Sequence, residues 1–219
     1  MKRTLFLITV VAFFVTGCIS SKNDPKPGDG ASTSDSYFPV TSGSTWTYKE
    51  EIAGATSSTV IKMTGNTKTF NGKSYYEASS SSTVKGNQLG YFFSANHDFA
   101  ILQAVPGYGI NVEIHLGNDT KAAGYSWTTS PTADGYVNGF PAQMINTIKE
   151  KGITWVVNGK SFTNVMHTHV DLQYDLGSGF MSYTVYDFYL AKGVGMIESD
   201  TGVSGSIYDK ETILSYNVK

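Results

Sequence analysis

Two histidines and an aspartate alternate along one short stretch of the chain, at His167, His169 and Asp171. On a β-strand, residues at this spacing share one face, whereas the apolar residues between them occupy the other. Imidazole and carboxylate groups are the ligands that zinc-type ions take from proteins, so these three residues are candidate metal ligands. Two strand steps separate His167 from Asp171 by about 13 Å, which is too far for one shared ion without a bulge.

Glu113 and His115 alternate in the same way between apolar residues. If their strand paired with that of His167 and His169, four or five ligands would converge. The alternative is that each set forms the solvent-facing side of an ordinary strand, because alternation alone produces such a face. We predict no metal and no cofactor, and keep a metal-dependent enzyme using His167 and His169 as the alternative.

Other catalytic signatures are missing from the sequence. No Gly-x-Ser-x-Gly elbow accompanies the abundant serines, and the turn-like segments Asn158-Gly159-Lys160-Ser161 and Ala191-Lys192-Gly193-Val194-Gly195 lack the spacing of nucleotide-binding loops. Charged residues make up 16% of the chain and the net charge is -2, so no basic patch favours nucleic acid. We therefore predict a protein that is not an enzyme and binds no nucleic acid.

The only cysteine follows an N-terminal segment typical of export. Lys2-Arg3 precedes a mostly apolar run that ends at Thr16, and Val15-Thr16-Gly17-Cys18 resembles the bacterial lipobox. The resemblance implies that residues 1–17 are a signal peptide and that Cys18 is the lipidated mature N-terminus. A diacylglycerol group and palmitate attached to Cys18 would insert their acyl chains into the bilayer, so we expect the membrane to be the partner of this protein.

Residues 18–36 consist of Ser, Asp, Pro, Gly and Lys with few apolar side chains, which predicts a flexible tether. Lys22-Asn23-Asp24 is similar in part to the surface-export signal of Bacteroidetes lipoproteins. We expect the protein to be lipid-anchored in the cell envelope, at the outer membrane. Both the periplasmic and the surface face of that membrane fit the sequence.

A repeated segment organises the rest of the chain. Residues 61–74 and 148–161 share Ile, Lys, Gly, Thr and a final Asn-Gly-Lys-Ser at the same spacing. Each Asn-Gly pair lies between segments rich in strand-forming residues, which predicts two hairpins with type I′ turns. The repeat also assigns residues 142–151 to a strand, although Met144, Ile145 and Ile148 have helical spacing.

The whole pattern predicts an all-β fold, with an antiparallel curved sheet or barrel of about ten to twelve strands. Residues 37–219 would form a single domain from two pseudo-repeats, about 37–117 and 118–219, whose meanders pair edge to edge. Aromatic residues are abundant near the hairpins, among them Tyr75, Tyr91 and Phe188. They predict a filled interior, with an apolar or glycan-binding surface as the alternative.

Several motifs together resemble a family of uncharacterised Bacteroidetes lipoproteins. These are Tyr37-Phe38-Pro39 before Gly43-x-x-Trp46-x-Tyr48, the segment 162–165, the Ala-Lys-Gly-Val-Gly region at 189–197, and the ending 213–216. At the level of fold, the chain is also similar to the Lol lipoprotein carriers, half-barrels closed by helices over an apolar cavity. The lid helices of that pattern are missing from this sequence.

These observations favour a lipid-anchored envelope protein without enzymatic activity, serving binding or structure. A carrier or sensor that holds an apolar ligand inside the curved sheet is the second hypothesis. The metal-dependent enzyme is the third.

Overall fold

The computed structural model describes residues 34–83, 86–105, 110–203 and 205–219, so the proposed signal peptide and Cys18 lie outside the described residues. These residues contain no helix long and apolar enough to cross a bilayer. They form thirteen strands: β1 (Thr45–Ile52), β2 (Ala55–Phe70), β3 (Lys73–Ser82), β4 (Gly86–Ala95), β5 (Asp98–Val105), β6 (Ile110–Asn118), β7 (Ser126–Thr129), β8 (Tyr136–Val137), β9 (Phe140–Val157), β10 (Lys160–Asp175), β11 (Phe180–Ala191), β12 (Gly195–Val203) and β13 (Ser206–Asn217).

The strands pair into one antiparallel sheet, which confirms the all-β prediction. Among the described residues, twelve strands follow the order β6-β5-β4-β3-β2-β1-β13-β12-β11-β10-β9-β7, and β8 pairs with β9 alone. The sheet curls until its two ends approach each other, and the amide of Glu113 in β6 donates to the carbonyl of Pro131 beyond β7 at 2.8 Å. It is therefore an antiparallel barrel that is closed except along the β6–β7 seam.

Two six-stranded meanders compose this barrel, β1 to β6 and then β7 with β9 to β13. They meet where the first and last strands pair, from Thr45 opposite Asn217 to Ile52 opposite Asp209. The strand order within one meander matches the order in the other, with both Asn-Gly turns at the same place. That the halves arose by duplication, and that residues 37–219 are one domain, stay predictions.

Both Asn-Gly turns have the predicted geometry. Asn71 and Gly72 have φ angles of 50° and 77°, and Asn158 and Gly159 have 49° and 77°. Positive φ at both central residues is the requirement of a type I′ turn. Residues 142–151 lie within β9, where hydrogen bonding to β7 and β10 overrides the helical spacing of its apolar residues.

A glycine bends each of these hairpins partway along its length. Gly65 in β2 and Gly152 in β9 have φ angles of 89° and 74°, and the strand register shifts beside each of them. These two glycines occupy the same position in the repeated segment. Past Gly152, the second hairpin crosses the outer face of β11 to β13, where the Asn158 side chain donates to the carbonyl of Ile213 at 2.9 Å.

The N-terminal segment fills the end of the barrel where β1 begins. Phe38 is buried and its ring lies 4.9 Å from that of Phe92 in β4 and 6.5 Å from that of Phe99 in β5. The amide of Gly193, in the turn between β11 and β12, donates to the carbonyl of Ser36 at 2.8 Å. The segment before β1 therefore closes this end of the barrel.

Candidate functional site

A cavity of about 140 Å³ lies inside the barrel. Alternation along the strands puts one side chain in two on its wall, as with Trp46 and Tyr48 in β1. The lining residues come from the N-terminal segment, from β1 to β6 and from β11 to β13. The cavity is therefore built by both meanders together.

One part of the wall is apolar and rich in aromatic rings. Its principal residues are Phe38, Trp46, Ile61, Phe92, Ile101, Ile114, Phe188 and Met196. The Trp46 indole N–H donates to the carbonyl of Val194 at 2.6 Å, and the Tyr48 hydroxyl donates to that of Met196 at 2.8 Å. Because the backbone satisfies these polar atoms, the two rings contribute chiefly apolar surface.

The remaining wall is polar and acidic. It is lined by Thr59, Ser80, Ser82, Gln88, Gln103, Ser199, Thr201, Asp209 and Glu211. Glu50 is completely buried beside it and accepts a hydrogen bond from Ser57 at 2.8 Å. It lies directly opposite Glu211 in the β1–β13 pairing. Burial raises the pKa of Tyr48 well above its usual value, and the negative charge of Glu211 adds to that rise.

Tyr186 lines the same cavity from β11. It is buried, and its hydroxyl has no hydrogen-bond partner among the described residues. Burial raises the pKa of Tyr186, and the neighbouring Tyr174 contributes to the same shift. A buried hydroxyl without a partner costs about 1–3 kcal/mol relative to a hydrogen-bonded one.

The predicted histidine pair lies on the outer face of the barrel, away from the cavity. His167 Nε2 is 2.7 Å from Asp187 Oδ1, and His169 Nδ1 is 3.0 Å from the same oxygen. Burial raises the pKa of Asp187, but hydrogen bonds and charge from the two histidines outweigh it and lower the pKa well below its usual range. His167 also stacks on Tyr189, with 4.3 Å between ring centroids.

The other predicted ligands do not join this pair. Asp171 accepts from Gln173 and Ser182, both at 2.6 Å, as the distance along the strand led us to expect. Glu113 binds Lys73, and its strand β6 pairs with β5 rather than with β10. In the part of the chain that the structure describes, no group of three or more His, Cys, Asp or Glu residues is arranged to hold a metal.

The aromatic residues divide between the two faces. Phe92, Tyr186 and Phe188 point into the barrel and line the cavity. On the outer face the first hairpin brings Phe70 to 4.9 Å from Tyr91, and Trp155 of the second stacks on Tyr189 at 4.3 Å. The predicted filling of the interior therefore describes only some of the aromatic residues, because the bent hairpins bury a second aromatic layer on the outer face of the barrel.

The acidic residues of the cavity were missed at the sequence level, although part of the signal was present. Glu50 follows Trp46 and Tyr48 at two-residue spacing, so alternation alone places it on their face. Asp209 and Glu211 alternate likewise. The pairing of β1 with β13, which brings Glu50 opposite Glu211, could not be predicted from the sequence.

No protein-family model matches the chain, and no curated protein matches it. It is similar to a solved structure from Parabacteroides distasonis ATCC 8503 described as a lipoprotein, with a TM-score of 0.47, 13% identity, and coverage of 84% of this chain and 99% of that one. It is also similar to an exported protein with a YmcC-like fold from Bacteroides fragilis NCTC 9343, with a TM-score of 0.44, 10% identity, and coverage of 82% and 97%. At these values the similarities say nothing about ligand or activity.

Proposed function

We propose that this protein is a non-enzymatic binding module of the cell envelope that holds a small apolar or amphiphilic molecule inside its barrel. The cavity is the observation that carries the proposal. Ligand sites are typically concave, mostly apolar and supplied with a few convergent polar groups, and this interior has all three properties.

The size of the cavity limits the ligand. An apolar cavity of about 150 Å³ in another protein accommodates benzene. The cavity here has about 140 Å³. A molecule, or the buried part of one, with on the order of six to ten heavy atoms therefore fits. The aromatic rings of Phe38, Phe92 and Phe188 would contact its apolar part.

The positions of the reactive side chains support binding rather than catalysis. The sequence has four histidines, and none of them is among the residues that line the cavity. The cavity wall offers hydroxyls and carboxylates without an imidazole to activate a nucleophile. The acid–base groups His167, His169 and Asp187 lie on the outer face, where they bond to one another.

Attachment to the membrane is the second part of the proposal, and it rests on the sequence around Cys18. The lipobox and signal peptide support lipidation, and the resemblance of the sequence motifs to those of Bacteroidetes lipoproteins supports an outer-membrane location. The partner would then be the lipid bilayer, through the acyl chains on Cys18.

Mass spectrometry of the protein isolated from its own membranes tests both parts. We expect a covalent lipid mass on the peptide that begins at Cys18, and a smaller non-covalent mass that is lost on denaturation. Gly90→Leu should abolish the second mass alone, because Gly90 lines the cavity and a Cβ there meets only Phe92, at 3.8 Å.

The matched control is Asn87→Leu, which adds the same side chain to an exposed position of β4. It should leave the bound mass unchanged. Absence of any bound molecule in the wild type, or its retention in Gly90→Leu, would contradict the binding proposal. An unmodified Cys18 would contradict the anchor.

A further inference from the structure

We propose that the binding site continues through the barrel wall, along a slot between β4 and β5, and holds an elongated apolar molecule that enters from the side. This inference rests on the proposed function and specifies the shape of its ligand and the route of entry. Three features of the structure carry it: the pattern of residues that line the cavity, the extent of the β4–β5 pairing, and the exposure of Leu89.

The strands of the cavity wall contribute lining residues in two different patterns. On β1, β2, β3, β11 and β13 only alternate residues line the cavity, as expected for strands with one face inside. β12 departs from this pattern only at its first two residues, Gly195 and Met196. On β4 and β5 the lining residues are consecutive, at 88–92 and 101–103. Both faces of these two strands therefore border the same space, which must pass between them.

The pairing of β4 with β5 covers only part of each strand. It stops at Tyr91 opposite Leu102 and continues from there only towards the turn that joins the two strands. In the part of the chain that the structure describes, residues 86–90 pair with β3 alone and residues 103–105 pair with β6 alone. The hydrogen-bonded ladder that seals the wall elsewhere between these strands therefore ends beside the cavity.

The outer lip of the slot is apolar and reaches the protein surface. Leu89 lines the cavity although it is 53% exposed. Tyr91 and Leu102, the last pair of the ladder, also border the slot. The ring of Phe70 in the first hairpin lies 4.9 Å from that of Tyr91. Apolar surface thus continues from Phe92 inside the barrel to the aromatic layer on its outer face.

This shape favours a ligand that is longer than the cavity. The cavity has about 140 Å³ and holds on the order of six to ten heavy atoms. A longer apolar molecule can place one end against Phe92 and leave the rest in the slot, over Leu89. Each methylene group that the slot removes from water should tighten binding by about fourfold.

Two alcohols of different length test whether the slot is part of the site. 1-Hexanol, with about seven heavy atoms, fits within the cavity, and 1-decanol, with about eleven, exceeds it. Both would be titrated calorimetrically into the full protein, isolated from its membranes in lipid nanodiscs, with empty nanodiscs subtracted. Leu89→Asn should weaken the binding of 1-decanol at least threefold and leave that of 1-hexanol unchanged. The matched control is Leu214→Asn, the same replacement at an exposed position of β13, which should change neither affinity.

The route of entry is tested by a rate. Nitrobenzene is close to benzene in size and quenches tryptophan fluorescence, and Trp46 lines the cavity. Stopped-flow quenching would be followed in the same nanodiscs, with the Trp46 signal identified by its loss in Trp46→Phe. Leu89→Cys modified with a polyethylene glycol maleimide should be quenched at least tenfold more slowly than the wild type. Leu214→Cys with the same modification should be quenched at the wild-type rate.

The outcomes separate this inference from the proposed function. An unchanged affinity of Leu89→Asn for 1-decanol would overturn the elongated ligand, and an unchanged rate in the modified Leu89→Cys would overturn entry from the side. Either result leaves a binding cavity in place. A wild type that binds neither alcohol and shows no quenching of Trp46 would overturn the proposed function and this inference together.

Discussion

Asp187 organises the outer polar cluster, although the sequence drew attention to Asp171 instead. Alternation along one strand predicted that His167 and His169 share a face, and they do. The carboxylate that joins them comes from β11, where Asp187 lies opposite His169. Register between strands is a property of the whole sheet and cannot be obtained from spacing within one strand. For a candidate site that extends across strands, the sequence therefore predicts which residues of one strand share a face, but not which residues of the neighbouring strand join them.

Replacement of Asp187 by Asn should destabilise the fold by about 1 kcal/mol, because the histidines lose a charged acceptor that is partly exposed. The folded pKa of Asp187 lies below the ordinary value of 3.8, so its ionised form stabilises the fold above that pH. The contribution is lost as the pH falls from there through the folded value. Urea unfolding at pH 5 and pH 3 should thus give a smaller wild-type advantage at pH 3.

Asp171→Asn, on the same outer face but bonded to Gln173 and Ser182, is the matched comparison. It should cost less than Asp187→Asn at pH 5. Equal losses in the two variants, or a gap between wild type and Asp187→Asn that widens at pH 3, would contradict this account.

The bent hairpins are the elements whose shape the sequence only partly predicted. The repeated Asn-Gly pairs predicted their turns, and the β-rich flanks predicted their strands. The glycine shared by both copies, Gly65 and Gly152, belongs to the repeat, but the repeat does not show that β2 and β9 continue through it. Its positive φ lets each strand turn out of the sheet, and the side chains past Gly152 then cover a strip of the outer face. This depends on contacts with distant strands, which local patterns do not encode.

Gly152→Ala should cost about 1 kcal/mol, because Gly152 has a φ of 74° that a residue with a Cβ adopts only with strain. Nothing lies within 4 Å of the added methyl, so no steric clash contributes. Gly152→Asn should cost less, since asparagine tolerates this conformation. Thermal unfolding followed by tryptophan fluorescence measures both, and the stacked Trp155 reports the hairpin directly.

Gly90→Ala is the control for this series, because Gly90 does not have a positive φ and has room for a methyl group. It should be neutral or slightly stabilising. If alanine and asparagine at position 152 behaved alike, backbone strain would not be the reason for the glycine.

At the scale of the molecule, the barrel depends on three closures: β1 against β13, the β6–β7 seam, and the N-terminal segment. The sequence predicted that two meanders pair edge to edge, because each alone has open edges. It did not specify which edges pair, nor that Tyr37 and Phe38 would enter the barrel. The sequence shows that both side chains are apolar. Where they pack depends on the shape of the barrel interior, which is set by the assembled strands.

Phe38→Ala should destabilise the protein by about 3 kcal/mol, since the Phe38 side chain is buried against Phe92 and Phe99 and its loss leaves a void at the barrel end. Phe180→Ala is the matched control, because Phe180 in β11 is 46% exposed, and it should cost less than about 1 kcal/mol. Similar midpoints of urea unfolding for the two variants would mean that the segment does not close the barrel.

The pairing of the first strand with the last also constrains when the fold can form. As the chain is made from its N-terminus, β2 to β6 find their partners in sequence, whereas one edge of β1 stays unsatisfied until β13 emerges. Lys219, just after β13, contacts the start of the barrel, where its amide donates to Ser44 Oγ at 3.0 Å. Contacts between residues far apart in the sequence form slowly, and until they form the unpaired strand edge is prone to aggregation. Until β13 has paired with β1, the free edge of β1 can therefore pair with strands of other molecules.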